Sequence, residues 1–476
     1  MPYLTRYILR FRIGSYLLLV NTISGAVNLV KGKNANIIES LTPGSKVSLA
    51  KPLETQLSTQ GYLIDSSEDE RSQIVRFLNL SNHLTKLPPS IYFALTYQCN
   101  LRCTYCNEWN IPNETKQTFK VLSKEQIDSA FITINKLEKL HQEQWGFPLT
   151  INLYGGEPLM QITREIVEYI LLKSVESGFY VQIISNGINV PIFIDLFLKY
   201  RNIIRRTLIT LDGVRYIHNS RRKYPSGHGT FDKVVQAIDL LLEIGIPVTM
   251  QTILDKQNIS HLPALVQFAK KKGWLDNTLF NGALGKVMYP MCNPTNNQYK
   301  YFIDNDEFIR YIAPIQKNCT ELKGFDAPIG KLNGYSFLQQ LINEPNKIES
   351  PMSLGCDATR GGIYLFGPDN LIFPCVETAG FSQYSIGRYH PDLELWTEEL
   401  ICWQERHPKN VKKCQECIYL TICGGGCAIS GIRKGNTSSN PDCPDIEKVL
   451  KAYIESNESQ IIEAFRKAGA NHESTS

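Results

Sequence analysis

An α/β fold built on a partial (β/α)6 TIM-like barrel is predicted for this 476-residue chain by two observations. Between Ile91 and about Leu284, short apolar strand candidates alternate with helix-length amphipathic stretches, as successive βα units of a parallel sheet require. Six such strands can be counted, too few for the eight-fold barrel, so the sheet should stay open. Residues 1–88 precede this region as a separate unit, and a cysteine-rich region follows it.

The apolar run from Ile13 to Val30 is interrupted by Ser15, Asn21, Asn28 and a Ser24-Gly25 turn signal, and it is rich in strand-forming residues. It reads as the two strands of a hairpin rather than a membrane span. Short helices are expected around Asn34 to Leu41 and Pro52 to Thr59, then an extended wing from Gly61 to Asp65. Asp65 to Arg71 (DSSEDER) is polar punctuation, and Pro88-Pro89 closes the linker.

The barrel region, residues 89–290, carries strands at Ile91 to Thr96, Thr150 to Tyr154, Tyr180 to Ser185, Thr207 to Leu211, Pro247 to Ile253 and Leu279 to Leu284. The helix from Ser123 to Leu140 opens on a capping box of Ser123 and Gln126. Residues 291–355 form a bridge with helices expected at Asp306 to Gln316 and Phe337 to Ile342. Residues 356–450 make a cysteine-rich domain, and 451–476 a helix and a tail, ending ANHESTS, that should fray.

A net charge of +4 is too small to argue for nucleic acid or an acidic membrane surface. Thirteen cysteines in a chain of this length, an odd number behind a start (MPYLTRYILRF) without a cleavable signal pattern, read as reduced and ligating thiols. A reducing, oxygen-poor cytoplasm is the expected location.

Cys99, Cys103 and Cys106, three and then two residues apart within TYQCNLRCTYCNEW, place three thiolates on one short loop directly after the first barrel strand. Three thiolates can hold three corners of a four-iron four-sulfur cluster and leave the fourth iron open to a small chelating molecule. Zinc is the alternative, but structural zinc sites are closed by four ligands. Reactive groups of such barrels lie beyond the carboxyl ends of the strands, where this loop sits.

The spacing resembles the signature of the radical S-adenosylmethionine (SAM) enzymes. The resemblance implies that the open iron takes the amino and carboxylate groups of SAM and that reductive cleavage yields a 5′-deoxyadenosyl radical. Gly155-Gly156-Glu157-Pro158, which alone would be a plain βα turn, is similar to the family's GGEP element beside the SAM amino group. Tyr105 matches the aromatic position near adenine, and Ser185-Asn186-Gly187 the segment beside the ribose. Leu211-Asp212-Gly213 and HNSRRKYPSGHGTF (His218 to Phe231) resemble stretches of the sulfatase-maturase branch, which implies Asp212 and Arg222 near SAM or substrate; Asn219 stands where that branch often has Asp.

Cys356, Cys375, Cys414, Cys417, Cys423, Cys427 and Cys443 follow in the order and spacing that resemble the seven-cysteine SPASM extension of the superfamily. Four thiolates in the Cys414 to Cys427 block could also make a zinc ribbon. The resemblance implies one auxiliary four-iron cluster on Cys414, Cys417, Cys423 and Cys443 and another on Cys356, Cys375 and Cys427, closer to the active site and without an evident fourth ligand. Three [4Fe-4S] clusters in all are thus expected. Where the family usually has Gly, five residues before Cys375, this chain has Asn370. Cys292, Cys319 and Cys402 fit no ligand set and read as buried small hydrophobes, with Cys319 or Cys402 held as a spare auxiliary ligand.

The pattern of residues 1–88 is similar to the winged-helix peptide-recognition domain fused to maturases of ribosomally made peptides. The reading implied is a radical SAM maturase that binds a precursor peptide through its leader and modifies the core, with a thioether crosslink favoured by an incompletely ligated cluster. Flavodoxin or ferredoxin would supply electrons. The rivals are an anaerobic sulfatase maturase making formylglycine and, from another class, a noncatalytic zinc or iron-sulfur binding protein. No residue is singled out as general base.

Overall fold

The computed structural model describes residues 1–83, 88–118, 121–140, 148–287, 300–326, 335–343, 345, 356–435 and 442–469. Cys292 and the tail from residue 470 lie outside them.

The amino-terminal unit holds three antiparallel strands, β2 (Ile8–Ile13), β3 (Tyr16–Asn21) and β4 (Val27–Lys31), in that order: β3 and β4 form the expected hairpin, and β2 joins it as a third strand. β2 escapes a reading of apolar runs because it alternates: Arg10 and Arg12 point away while Phe11 and Ile13 are buried. Arg10 then serves the end of the next helix, Gly32–Ser40, donating to the carbonyls of Ile38, Glu39 and Leu41 at 2.8–3.0 Å. The expected wing is a two-residue strand, β5 (Leu63–Ile64), paired with β1 (Tyr3–Leu4), after helix Lys51–Thr59.

The polar punctuation is also corrected, since DSSEDER opens helix Ser67–His83. Glu70, buried at 2% exposure, accepts from Thr5 Oγ1 (2.6 Å), Arg6 N (2.7 Å) and Arg6 Nε (3.1 Å). A charged residue can be interior once its oxygens are satisfied.

The six barrel strands are β6 (Ser90–Ala94), β7 (Thr150–Tyr154), β8 (Tyr180–Ser185), β9 (Ile204–Thr210), β10 (Val248–Leu254) and β11 (Phe280–Lys286), parallel and in sequential order. Helices follow them as a βα repeat demands, and helix Phe231–Glu243 is typical: Phe231, Val234, Ala237, Ile238 and Leu241 are buried along one face. The capping box forms: Ser123 N donates to Gln126 Oε1 (2.8 Å) and Gln126 N to Ser123 Oγ (3.2 Å) at the start of helix Lys124–Leu140.

Beyond β11 the sheet gains the short β12 (Phe325–Asp326). At the other edge β13 (Ile363–Phe366) runs parallel to β6, and β14 (Leu371–Phe373), β15 (Gly387–Arg388) and β16 (Glu394–Leu395) continue antiparallel, so the sheet has eleven strands among the described residues. The cysteine-rich region thus grows from the barrel's first strand. Asn370 turns β13 into β14 with φ of 66°, the left-handed conformation that Asn tolerates best after Gly. Its Oδ1 accepts from Gln126 Nε2 at 2.5 Å.

Helices Asn305–Asn318 and Tyr335–Asn343 of the bridge both pack on the last helix, Ile446–Lys467. No helix of the described residues is long and apolar enough to cross a membrane.

Candidate functional site

Loops at the carboxyl ends of the strands converge on a cavity of about 440 Å³, of the size that takes a cofactor or drug-sized ligand. Cys99, Cys103, Tyr105 and Cys106 line it from the loop after β6, Gly155, Gly156 and Glu157 from the loop after β7, and Ser185, Asn186 and Arg222 from those after β8 and β9.

The cysteine loop is held by backbone on two sides. Arg102 N donates to Lys223 O (2.7 Å) and Thr104 N to Arg221 O (2.9 Å), while Gly156 N reaches Thr96 O (2.8 Å) and Glu157 N reaches Gln98 O (3.0 Å). A Cβ at Gly155 would stand 2.3 Å from Thr96 O, and one at Gly156 2.2 Å from Gln98 O. Both glycines therefore admit the backbone of the cysteine loop as well as bordering the cavity.

Glu157 is a staple between strands. Its buried carboxylate accepts from Ser185 Oγ (2.6 Å), Asn186 N (2.7 Å) and Leu159 N (2.9 Å), which fixes the end of β8 to the loop after β7. Asn186 Nδ2 continues the tie to Asn100 Oδ1 (2.8 Å) in the cysteine loop. Pro158 is buried behind Glu157 and does not border the cavity.

Asp212 also lies behind the wall rather than in it. It is 1% exposed; its Oδ2 accepts from Tyr105 Oη (2.6 Å) and Arg221 Nε (3.3 Å), and its Oδ1 from Ile253 N (3.0 Å). Burial pushes its carboxyl upward, but Arg221 and Arg222, with His218 and the Tyr105 hydroxyl, outweigh it and hold the group below the usual carboxylate range. Arg221 bridges onward to Asp255 Oδ2 (2.5 Å) and Ile253 O (2.8 Å), and its guanidinium lies 4.7 Å from the Tyr105 ring centre. Arg222 Nη1 donates to Tyr105 Oη at 2.7 Å. Tyr105 is thereby fixed at the cavity wall by Asp212, Arg221 and Arg222, all from the segment that follows β9.

His218 is structural. Burial pushes it down to about 3, Nδ1 accepts from Asp212 N (3.2 Å), and Nε2 lies 3.0 Å from Thr230 Oγ1. Asn219 Oδ1 accepts from Thr230 N and Phe231 N, both at 2.9 Å, and so caps helix Phe231–Glu243 from outside the helix. An amide oxygen does there what a carboxylate would. Asn219→Asp is expected to keep accepting from both donors and hold its unfolding midpoint, whereas Asn219→Leu should cost about 1–3 kcal/mol in denaturant unfolding, leaving two donors unpaired.

The thiols of the cysteine loop are buried enough to resist ionisation in the free chain: burial, with Glu157, pushes Cys99 up to about 12, and burial raises Cys103 and Cys106. Thiolate ligation must offset that. The donor set fits an iron-sulfur cluster with SAM: three thiols on one wall, and Arg222 Nε buried at the cavity without a partner among the described residues, a donor for a carboxylate. Among the described residues no three His, Cys, Asp or Glu side chains converge on a single-ion site.

In the carboxy-terminal region, burial pushes Cys414 up to about 12, with Cys423, Cys417 and Cys443 adding to it. Burial, with Cys427, pushes Cys356 up to about 11. Cys423, Cys417 and Cys443 thus lie within electrostatic reach of Cys414, and Cys427 of Cys356, while Glu108, Glu377, Cys106 and Cys375 act on Tyr154 at the cavity wall. Cys319 is buried beside Glu321, but Cys402 is exposed on helix Thr397–Glu405, correcting the expectation that it packs inside.

Sequence reasoning passed over Arg221, Asp255, Glu108, Glu377 and Lys286. Asp255 repeats the Leu-Asp ending of β9 at the end of β10, which was the available signal. Burial pushes Glu108, at the cavity wall, up to about 8 against the pull of Lys116.

The sequence profile of the Radical SAM superfamily matches residues 93–269. The chain is 23% identical over 355 residues to an AdoMet-dependent heme synthase of Methanosarcina barkeri, covering 72% of this chain and 92% of the relative. It is 21% identical over 339 residues to a cysteine-type anaerobic sulfatase-maturating enzyme of Clostridium perfringens, covering 69% and 85%. Among solved structures, anSMEcpe with bound AdoMet superposes with a TM-score of 0.57 at 17% identity, covering 81% of this chain and 100% of that one. Streptococcus suis SuiB bound to precursor peptide SuiA superposes at 0.56 and 17% identity, covering 93% and 99%.

Proposed function

This chain is a radical SAM superfamily enzyme, and we propose that it matures a ribosomally made peptide whose leader docks on residues 1–83. The observation that carries this reading is the amino-terminal unit itself. It has its own core, with Leu4, Ile8, Leu17, Leu19, Ile38 and Tyr62 buried together, and β4 has no strand beyond it among the described residues. An edge of that kind takes an extended peptide as an added strand. SuiB, solved with a precursor peptide, covers 93% of this chain where anSMEcpe covers 81%, which supports the same reading.

When bound, SAM and the loop cluster supply a hydrogen-abstracting radical. The chain's part is placement: Cys99, Cys103 and Cys106 hold the cluster, Gly155 to Glu157, Ser185 and Asn186 shape the SAM pocket, and Arg222, tied to Tyr105, presents a free donor. Pro158 and Asp212 support from behind. We assign Cys414, Cys417, Cys423 and Cys443 to one auxiliary [4Fe-4S] cluster and Cys356, Cys375 and Cys427 to another, three clusters in all. With three thiols the second leaves an iron open, which favours holding a substrate sulfur and a thioether product. Flavodoxin or ferredoxin is the proposed reductant, and the cytoplasm the site of action.

The second reading, a sulfatase maturase, is favoured by the match to the Clostridium perfringens enzyme. Anaerobically reconstituted enzyme, incubated with SAM, reductant and a precursor peptide encoded beside it, decides by mass spectrometry. Loss of two hydrogens per crosslink, dependent on the leader, is expected. Activity on a leaderless sulfatase peptide, with loss of the cysteine sulfur, would favour the rival.

A further inference from the structure

Lys286 stands at the carboxyl end of β11 and lines the same cavity as the cysteine loop. Its ammonium lies 4.4 Å from the centre of the Phe302 ring, and among the described residues it makes no ion pair or hydrogen bond. The nearby charges are engaged or in solvent: Glu307 pairs with Lys256 (2.8 Å), Lys434 with Asp442 (2.8 Å), and Asp304 is exposed. Lys272, also partly buried, by contrast pairs with Asp239 at 2.6 Å. Burial pulls the Lys286 amine down to about 8, against Asp304 and Glu307 and with Lys434. A half-buried cation without a counter-ion is a cost that an incoming anion removes.

We propose that Lys286 is the anchor for a carboxylate of the peptide substrate, an acidic side chain or the chain terminus. The assignment rests on the peptide-maturase reading above and supplies it with a substrate class. SAM carries a carboxylate too, but the residues that shape its pocket follow β7, β8 and β9, with Arg222 offering the free donor there. Lys286 sits two strands further along the sheet, on β11, past β10. The aromatic face of Phe302 holds the amine in place while leaving its hydrogens for the ligand.

The test uses reconstituted full-length enzyme saturated with SAM and two probes, N-acetyl-aspartate amide and N-acetyl-asparagine amide, with binding read by saturation-transfer NMR. Wild type is expected to prefer the aspartate probe by about tenfold or more, the worth of one charge-assisted hydrogen bond. Lys286→Arg should keep the preference, Lys286→Met should lose it, and Lys286→Glu should turn it toward N-acetyl-lysine amide. Equal binding of both probes by wild type, or a preference that survives Lys286→Glu, overturns the assignment. So does an aspartate preference seen only without SAM, which would give Lys286 to the SAM carboxylate. Formation of 5′-deoxyadenosine, followed in parallel, separates the two readings: wild type that cleaves SAM but ignores the charge of the probe fails only the Lys286 assignment, and wild type that cleaves none fails the radical reading.

Discussion

Replacing Arg221 by Met should lower the stability of the chain by about 3–5 kcal/mol, the usual cost of removing one partner from a buried ion pair. The side chains of Arg221 and Asp212 are both 0% exposed, and that of Asp255 is 5% exposed, so the substitution strands two carboxylates where water hardly reaches them. It also removes the donor to Ile253 O and the cation beside Tyr105. Arg221→Lys should recover part of the loss, since an ammonium restores charge but not the fork that serves Asp212, Asp255 and Ile253 together. The urea midpoint of the anaerobic protein measures both, and a shift equivalent to less than about 1 kcal/mol for the Met variant would mean that the network is not a stabilising centre.

The same network gives acid sensitivity. The carboxyl of Asp212 is held below its unfolded value, chiefly by Arg221 and Arg222 against the opposing effect of burial. Its contribution is therefore fully present above the unfolded value of about 3.9 and is lost as pH falls through the lower folded one. Asp212→Asn should flatten that part of the stability profile while lowering the plateau at neutral pH.

What could be read from the residues alone was whatever is local in sequence. The six barrel strands, the Ser123–Gln126 box and the cysteine loop depend on neighbours within a few positions, and the structure has them in place. Helix Ser67–His83 was hidden because Glu70 looks like surface until its partners Thr5 and Arg6, more than sixty positions away, are known. The pairing of β13 with β6 joins Ile363 to Ser90, a distance in sequence that no period or turn signal encodes. Arg221 and Arg222 are a starker case. Helix Arg215–Arg221 ends between them, so the first points into the Asp212–Asp255 pair and the second reaches Tyr105 from the cavity side. Adjacent identical residues carry nothing in the sequence to say which does which.

Removing the three loop thiols should be the most damaging change to chemistry. A Cys99→Ala, Cys103→Ala, Cys106→Ala variant is expected to lose about four of roughly twelve irons and all formation of 5′-deoxyadenosine, if three four-iron clusters are bound. The fold should survive, because the loop is fixed by backbone hydrogen bonds to Thr96, Gln98, Arg221 and Lys223 partners and by Asn186–Asn100, none of which uses sulfur. The auxiliary sets should behave differently. Cys414 and Cys417 belong to the core that joins Tyr7, Ile74 and Leu78 of the amino-terminal unit to Val411 and Leu420, and Thr22 Oγ1 donates to Ile418 O at 2.7 Å between Cys417 and Cys423. A Cys414→Ala, Cys417→Ala variant should therefore lose about four irons as well, but also loosen the amino-terminal unit, visible as faster amide exchange in β3 and β4. Equal exchange in both variants, or iron loss that does not divide by site, would break the link between thiol groups and clusters on which the three-cluster assignment depends.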